Sequence, residues 1–215
     1  MFNYNLKMKD LLNSIENQKN SDIRTLVDSR IKEFSEIKDN SSDSIFIELC
    51  FCIMTANCSA EKCIEVHEKI GGNFLTLPQD QLTNKFKELG YRFPNIRSKY
   101  IVEARNYIEE LINRIKVNEN GKSLRDWVVS NIKGIGYKEA SHFLRNIGFK
   151  NYAIIDFHIV DLLVKYKLIE KPKTMTKKNY LEIEKILTGI AKKIKLNLAE
   201  LDLYLWYLET NKILK

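Results

Sequence analysis

The sequence contains few turn-forming residues, with only eight glycines and three prolines in 215 residues. This small number of glycines and prolines argues against a β-sandwich or a β-barrel, because the many short strands of those folds need frequent tight turns. Leucine, isoleucine, lysine and glutamate are abundant instead, and these residues suit helices. Apolar residues recur at helical spacing almost throughout, whereas the alternation typical of a strand hardly appears over more than about five residues. The sequence therefore predicts an all-α protein.

The sequence also lacks an apolar run that could cross a bilayer. The longest run, 45–56, is interrupted by Glu48 and is far shorter than the roughly 20 residues that a membrane span requires. We interpret it as a buried helix and expect no membrane partner. The start, Met1-Phe2-Asn3-Tyr4, shows no secretory signal pattern, which predicts a cytoplasmic protein in a reducing compartment.

Cysteine is scarce, and all four cysteines lie in one short stretch: Cys50, Cys52, Cys58 and Cys63. In a reducing compartment we expect free thiols rather than disulfides. Their spacing matches no common zinc or iron–sulfur pattern, and buried cysteine commonly packs as a small hydrophobe. We therefore expect neither a metal site nor an iron–sulfur cluster.

Acidic residues are in the minority, because 28 aspartates and glutamates stand against 35 lysines and arginines, giving a formal net charge of +7. Excess positive charge attracts polyanions. We expect most of the basic residues to provide this general attraction or to face solvent. The charge balance therefore favours a nucleic acid as partner.

The helical pattern resolves into separate helices joined by loops. They are predicted at 7–18, 23–37, 45–56, 59–70, 79–89, 95–115, from 123 onward, 157–165, 177–194 and 198–208. In the second helix, Leu26 is expected on the same apolar face as Val27 and Phe34.

Polar residues at several helix starts are candidates for capping. Asp43 or Ser44 is expected to cap the buried third helix, and Asn197, with a glutamate three residues on, the last one. Ser123, with an aspartate three residues on, is expected to open a short helix after a polar loop at 118–121.

Two glycines separated by one residue lie between two helical patterns, at Gly134 and Gly136. Glycine allows a tight hairpin with positive φ and a close approach of backbone N–H groups to an anion. The following helix adds the positive end of its dipole. The pattern predicts a turn that grips a phosphate, with a plain interhelical turn as the alternative.

Lys138 opens the helix after this turn, where a cation is unfavourable against the helix dipole. That position destabilises the protonated amine and so favours the neutral nucleophile of Schiff-base chemistry. A surface lysine that contacts phosphate is the alternative. Eighteen residues later, Asp156 lies at the start of another helix. Aspartate is a common N-cap, and its negative charge would also stabilise a developing cation.

The segment 123–156 resembles the helix-hairpin-helix DNA glycosylases, whose bifunctional members carry a G-h-G hairpin, a lysine and a later aspartate. More specifically, the run 134–146 (GIGYKEASHFLRN) and the phrase 90–94 (GYRFP) resemble the type-2 8-oxoguanine DNA glycosylase/AP lyase family. The ending 206–215 (WYLETNKILK) is also similar, so that the resemblance covers nearly the whole chain.

We expect two helical subdomains with an active-site cleft between them. One is a helical barrel at 44–149 with the helix-hairpin-helix at about 123–147, and the other is formed by 1–43 and 150–215. The resemblance implies a base-excision repair enzyme that flips 8-oxoguanine out of DNA and excises it through a lysine Schiff base. The resemblance further implies that this enzyme then cleaves the strand by β-elimination at the abasic site.

The family pattern extends to individual residues. Lys138 is implied to be the nucleophile, and Asp156 to stabilise the positive charge that develops on the sugar. Lys215, the last residue, resembles the terminal lysine with which the family distinguishes 8-oxoguanine from guanine. Oxidation at C8 places a hydrogen on N7, which turns an acceptor into a donor that an acceptor such as a terminal carboxylate recognises.

Other residues are candidates for contact with DNA. Arg92 and Phe93 are expected to fill the stack that a flipped nucleotide vacates. Trp206 is a candidate to stack on the extruded base, although a tryptophan in a last helix also suits a core. Gly134 and Gly136 are expected to hold the DNA backbone.

The expected partner is double-stranded DNA containing 8-oxoguanine, bound by a monomer. We expect no cofactor, and the resemblance leaves open a monovalent cation on the hairpin carbonyls. Two other functions fit the sequence. One is a bifunctional glycosylase for another oxidised base. The other is a helix-hairpin-helix protein that only binds DNA, which leaves the pairing of Lys138 with Asp156 unexplained.

Overall fold

The computed structural model describes residues 2–39, 41–117 and 121–215. Within these ranges the chain forms thirteen α-helices, one 3₁₀ turn and no strand, which confirms the all-α class. The helices are α1 (Phe2–Lys19), α2 (Ile23–Asp39), α3 (Ser42–Thr55), α4 (Ala60–Ile70), α5 (Asn73–Thr76), α6 (Gln79–Glu88), α7 (Pro94–Ala104), α8 (Ile108–Lys116), α9 (Gly121–Asn131), α10 (Tyr137–Asn146), α11 (Phe157–Lys165), α12 (Lys177–Lys193) and α13 (Leu198–Thr210).

The chain divides into two compact units. The first unit comprises Met1–Phe34 and Gly148–Leu214, and the second comprises Ser35–Ile147 together with Lys215. The expected subdomain boundaries at 43–44 and 149–150 stay a prediction. In the described ranges, no helix combines the length and the apolar character that a membrane span requires.

The first unit packs α13 against α1, α11 and α12. Apolar side chains of these helices, such as Leu11, Ile190 and Leu205, are buried. The start of α13 is held by a capping box, since the Asn197 N–H donates to Glu200 Oε2 at 2.8 Å and the Glu200 N–H to Asn197 Oδ1 at 3.0 Å. This confirms the cap predicted for the last helix.

The second unit is built around α3, which packs against α4, α5, α7 and α10. Nearly all of α3 from Ile45 to Thr55 is buried, as predicted for an apolar run. Its predicted cap is wrong, because the helix begins earlier and the side chain of Ser41 accepts the Ser44 N–H at 3.3 Å. Residues 41–44 are three serines and an aspartate, all suitable as N-caps, so local preference does not single out one of them.

Three further expectations about the helices differ from the structure. The helix predicted at 95–115 is two helices, separated by a 3₁₀ turn at Arg105–Tyr107. At this break the Arg105 guanidinium donates to the Phe74 and Leu77 carbonyls, at 3.0 and 2.8 Å. These tertiary hydrogen bonds form at a position that the apolar stripe does not mark.

The other two expectations that differ from the structure concern α2 and α9. Leu26 is 53% exposed, so it does not share the buried face with Val27 and Phe34. The helix α9 begins at Gly121, so Ser123 lies inside it and the predicted capping box is wrong. The predicted loop residues 118–120 lie outside the described residues.

Candidate functional site

The hairpin between α9 and α10 depends on one glycine in a left-handed conformation. Gly134 has a φ of +81°, and a Cβ added to it would lie 2.4 Å from Tyr100 Cδ2 and 2.8 Å from Arg97 Nη1. Both the backbone conformation and the close approach of α7 therefore require glycine at this position. The expectation of a positive φ is confirmed for Gly134.

The second glycine has a different conformation. Gly136 has φ −97° and ψ −169°, which is extended backbone, so the expectation of a positive φ does not hold for it. It occupies the N-cap position of α10, and its N–H donates to Glu139 Oε2 at 3.1 Å. One of the amides expected to meet an anion thus already binds a carboxylate of the protein itself.

Lys138 lies in the first turn of α10, directly after this hairpin. Its Nζ is 3.1 Å from Glu139 Oε1, and its side chain is 28% exposed. The Glu139 carboxylate thus places a negative charge beside Lys138 in the same turn in which the helix dipole is positive. The lysine charge also reaches Cys63. Burial raises the pKa of the Cys63 thiol, while the neighbouring Lys138 acts to lower it.

Asp156 belongs to the first unit, where it is the N-cap of α11. Its Oδ1 accepts the Ile159 N–H at 3.0 Å, and its backbone is extended, as at most helix N-caps. This hydrogen bond fixes the orientation of the carboxylate at the start of α11. The next residue, Phe157, is 67% exposed, so the helix presents an aromatic ring to solvent beside the carboxylate.

Trp206 is half-buried on α13 in the same unit. Its ring packs edge-to-face against His158, with the ring centroids 5.0 Å apart. The buried indole Nε1 has no hydrogen-bond partner in the described part of the chain. A tryptophan used only for packing normally finds such a partner when its N–H is buried.

Lys215 is fixed by contacts in the second unit. Its Nζ lies 2.5 Å from Glu48 Oε2 and 4.8 Å from the centre of the Phe51 ring, and its side chain is only 21% exposed. Its backbone oxygen lies 3.3 Å from His142 Nε2. Because a carbonyl oxygen only accepts hydrogen bonds, the neutral imidazole donates from Nε2 in this contact.

Glu48 is a buried carboxylate beside Lys215 that sequence reasoning missed. Its side chain is 3% exposed, and its Oε1 accepts a hydrogen bond from Asn146 Nδ2 at 2.6 Å. A buried carboxylate is costly unless charged or hydrogen-bonding groups compensate it. The sequence did contain a signal, since Glu48 is the one charged residue in the apolar run 45–56.

Two histidines line the same region. Burial lowers the pKa of the His142 imidazole well below its ordinary value, and the positive charges of Arg145 and Lys138 act in the same direction. Burial, together with the charge of Lys215, also lowers the pKa of His67. The edges of both rings contact Phe51. Both imidazoles are therefore neutral at neutral pH.

Arg92 and Phe93 lie in the loop before α7. The Arg92 guanidinium lies 4.9 Å from the centre of the Phe93 ring and donates to the Asn57 carbonyl at 3.3 Å. Arg97 supports the same region, because its guanidinium donates to the Ala56 carbonyl at 3.0 Å. Arg92 is exposed, so the loop offers a cation and an aromatic ring held together on a supported backbone.

The structure places the predicted residues in two sets. Lys138, Lys215, Arg92, Phe93 and the two hairpin glycines belong to the second unit, whereas Asp156 and Trp206 belong to the first. All four cysteines are free thiols. Across residues 2–39, 41–117 and 121–215, no group of three or more histidine, cysteine, aspartate or glutamate side chains is arranged to hold a metal ion.

A family model and a relative with a similar sequence both point to the 8-oxoguanine DNA glycosylases. Residues 27–196 match the family model described as 8-oxoguanine DNA glycosylase. The chain is 48% identical, over 96% of its own length and 98% of the relative's, to the 8-oxoguanine DNA glycosylase/AP lyase of Korarchaeum cryptofilum.

Two solved structures are also similar. One is the Methanocaldococcus jannaschii 8-oxoguanine glycosylase/lyase in complex with a 15mer DNA containing 8-oxoguanine. It is 50% identical with a TM-score of 0.92, over 95% of this chain and 99% of that one. The other is the Thermotoga maritima 8-oxoguanine DNA glycosylase, 40% identical with a TM-score of 0.91, over 97% of this chain and 100% of that one. From its fold, its hairpin and these matches, the chain belongs to the 8-oxoguanine DNA glycosylase family.

Proposed function

We propose that this protein excises 8-oxoguanine from double-stranded DNA and then cleaves the strand at the abasic site. One observation carries the proposal: a hairpin that requires glycine at residue 134 presents Lys138 in the first turn of α10, in a chain of this family. The net charge of +7 supports a DNA partner through general attraction to phosphates.

In the first step, Lys138 acts as the nucleophile on the sugar. The neutral amine attacks C1′ of the extruded nucleotide, the bond from C1′ to N9 breaks, and the base leaves with that electron pair and takes up a proton. The C1′–O4′ bond then breaks, O4′ takes up the proton that the nitrogen loses, and the opened sugar is left bound to Lys138 as an imine. Because the Lys138 Nζ lies 3.1 Å from Glu139 Oε1, that contact has to change before the nitrogen can reach C1′.

In the second step, the imine acts as an electron sink. Loss of a proton from C2′ drives elimination of the 3′ phosphate, which cleaves the strand. Asp156 supplies a negative charge that stabilises the cation developing on the sugar, and its helix cap holds the carboxylate in a fixed orientation. Both steps use side chains of this chain, so the proposed reaction needs no cofactor.

Recognition of the base is assigned to Lys215 and Trp206. The oxidised base carries a hydrogen on N7 where guanine has a lone pair, so an oxygen acceptor at Lys215 favours the lesion. Trp206 stacks on the extruded base through its ring. Its buried Nε1, which has no hydrogen-bond partner within the described residues, supports a polar contact of Trp206 in the complex.

Arg92 and Phe93 are assigned to the duplex. Their supported loop presents an apolar ring that fills the space left by the flipped nucleotide, while the guanidinium contacts phosphates. Gly134 and Gly136 bring the hairpin backbone close to the DNA strand. We further propose that the protein acts as a cytoplasmic, DNA-associated monomer. A monovalent cation on the hairpin carbonyls stays a prediction.

Borohydride trapping tests the lysine assignment. Wild-type protein is incubated with a duplex containing one 8-oxoguanine, and borohydride reduces the imine to a stable adduct. We expect an adduct with wild type and none with Lys138→Gln. Lys133→Gln is the matched control, because Lys133 lies on the same hairpin, is 64% exposed and pairs with Glu103 at 3.0 Å. It should still form the adduct.

Each other result has a clear meaning. Equal adduct from Lys138→Gln and wild type would refute the lysine assignment. Duplex binding without any adduct would support the protein that only binds DNA. A panel of duplexes, each with a different oxidised base, tests the remaining alternative, since faster excision of another base would replace 8-oxoguanine as the proposed substrate.

A further inference from the structure

Glu48 is a buried charge that none of the proposed catalytic steps uses. It lies in the middle of α3, where nearly every neighbouring side chain is buried and apolar. Replacing it with an apolar residue would avoid the cost of burying a carboxylate. Its presence at 3% exposure therefore calls for a reason beyond packing.

The contacts of Glu48 form a connected chain that ends at Lys215. Asn146, which is fully buried, donates to Oε1 at 2.6 Å, and the Lys215 ammonium lies 2.5 Å from Oε2. Asn146 holds one oxygen and leaves the other directed at the lysine. The Phe51 ring provides a second contact for the same ammonium, at 4.8 Å from its centroid.

These contacts give the side chain and the backbone oxygen of Lys215 different roles. Its ammonium is already engaged by Glu48 and Phe51, so it is poorly placed to make a new contact with a ligand. The backbone oxygen of Lys215 accepts a hydrogen bond from neutral His142 at 3.3 Å. This oxygen is the kind of acceptor that an N7–H group requires. The side chain of Lys215 then holds the residue in place, and its backbone oxygen contacts the base.

We propose that Glu48 is a positioning residue that anchors the Lys215 ammonium and thereby places the backbone oxygen of Lys215 for discrimination between 8-oxoguanine and guanine. This inference rests on the proposed function, since it assigns a support to the base-recognition site. Asn146 and His142 complete the support, one on the carboxylate and the other on the oxygen. Glu48 itself contacts neither the base nor the reacting atoms.

The first test compares rates on matched duplexes. Glu48→Gln keeps the shape of the side chain but removes its charge, so the anchor weakens. We expect the ratio of kcat/KM for 8-oxoguanine to that for guanine to fall about tenfold, and 8-oxoguanine excision to fall more than cleavage of a preformed abasic site. Glu65→Gln is the control, because Glu65 is an exposed carboxylate of the same unit paired with Lys62 and Lys69. It should match wild type.

The second test is a double-mutant cycle with Lys215→Met. If Glu48 acts through Lys215, adding Glu48→Gln to Lys215→Met causes no further loss of discrimination. Additive losses, or unchanged discrimination in Glu48→Gln, would overturn the inference. The double variant holds no unpaired buried charge, so it remains measurable even if one single variant folds poorly.

Thermal unfolding separates this inference from the proposed function. Lys215→Met leaves a buried carboxylate without its cation, so we expect its Tm to fall and the addition of Glu48→Gln to raise it again. If wild type excises no 8-oxoguanine, the proposed function fails while this anchoring pair is still tested. If the Tm values show no such recovery, the pair itself is refuted, whatever the enzyme excises.

Discussion

Replacement of Gly134 by alanine tests the hairpin that presents Lys138. The new Cβ would lie 2.4 Å from Tyr100 Cδ2 and 2.8 Å from Arg97 Nη1, and the residue would keep a φ of +81°. A left-handed residue other than glycine costs about 1–2 kcal/mol. Overpacking costs about 1–3 kcal/mol more. We therefore expect the free energy of unfolding to fall by about 2–5 kcal/mol.

Denaturant unfolding measures this loss in the unit concerned. The chain has two tryptophans, and Trp127 lies in the second unit while Trp206 lies in the first. In a Trp206→Phe background, the fluorescence of Trp127 therefore reports the unit that contains residue 134. At roughly 2–4 °C per kcal/mol for a chain of this size, the Tm falls by at least about 4 °C.

Two other glycines provide matched controls for the same chemical change. A Cβ at Gly72 or at Gly189 would meet no atom within 4 Å, and neither residue has a positive φ. Gly72→Ala should leave stability nearly unchanged. Gly189→Ala, inside α12, should raise it by up to about 1 kcal/mol. An equal small effect at residues 72 and 134 would show that the hairpin tolerates a side chain, and that the close approach of α7 is not a constraint.

The remaining predictions concern titration and thiol reactivity. Because burial lowers the pKa of His67 and His142, the unfolded chain takes up protons first, so the free energy of unfolding should fall from pH 7 to pH 5 by up to about 1.4 kcal/mol per pH unit for each histidine. Denaturation curves across this pH range check it, and a slope unchanged in His142→Phe would contradict it. Three of the four cysteines are buried and Cys58 is half-exposed. A thiol reagent should therefore modify Cys58 first in the native protein and all four in denaturant, whereas four equal native rates would refute the burial.

Local sequence signals predicted much of the fold. The helix α4 begins after Ser59 and ends before Gly71, and the last helix begins at the Asn197 capping box, as expected. In each case, the groups that start or stop the helix lie within a few residues of its end. The hairpin was predicted on similar grounds, because a left-handed turn at Gly134 depends mainly on the residue itself.

Features that depend on contacts distant in sequence were not predicted. The break at Arg105–Tyr107 coincides with hydrogen bonds from Arg105 to carbonyls of α5 and its C-cap, and the exposure of Leu26 reflects which face of α2 is buried. The ion pair of Lys138 with Glu139 was missed even though the two are adjacent. Its geometry depends on Glu139 also receiving the Gly136 N–H at the helix start.

The sequence by itself determined the all-α class, the ends of several helices, the hairpin and the candidate nucleophile. Periodicity, caps and glycine conformation are local properties, because each depends on residues that lie close together in the sequence. Only the tertiary structure decided that the one carboxylate inside the apolar run of α3 pairs with Lys215. A buried charge requires a partner of opposite charge, and which residue provides that partner is set by how the chain folds back on itself.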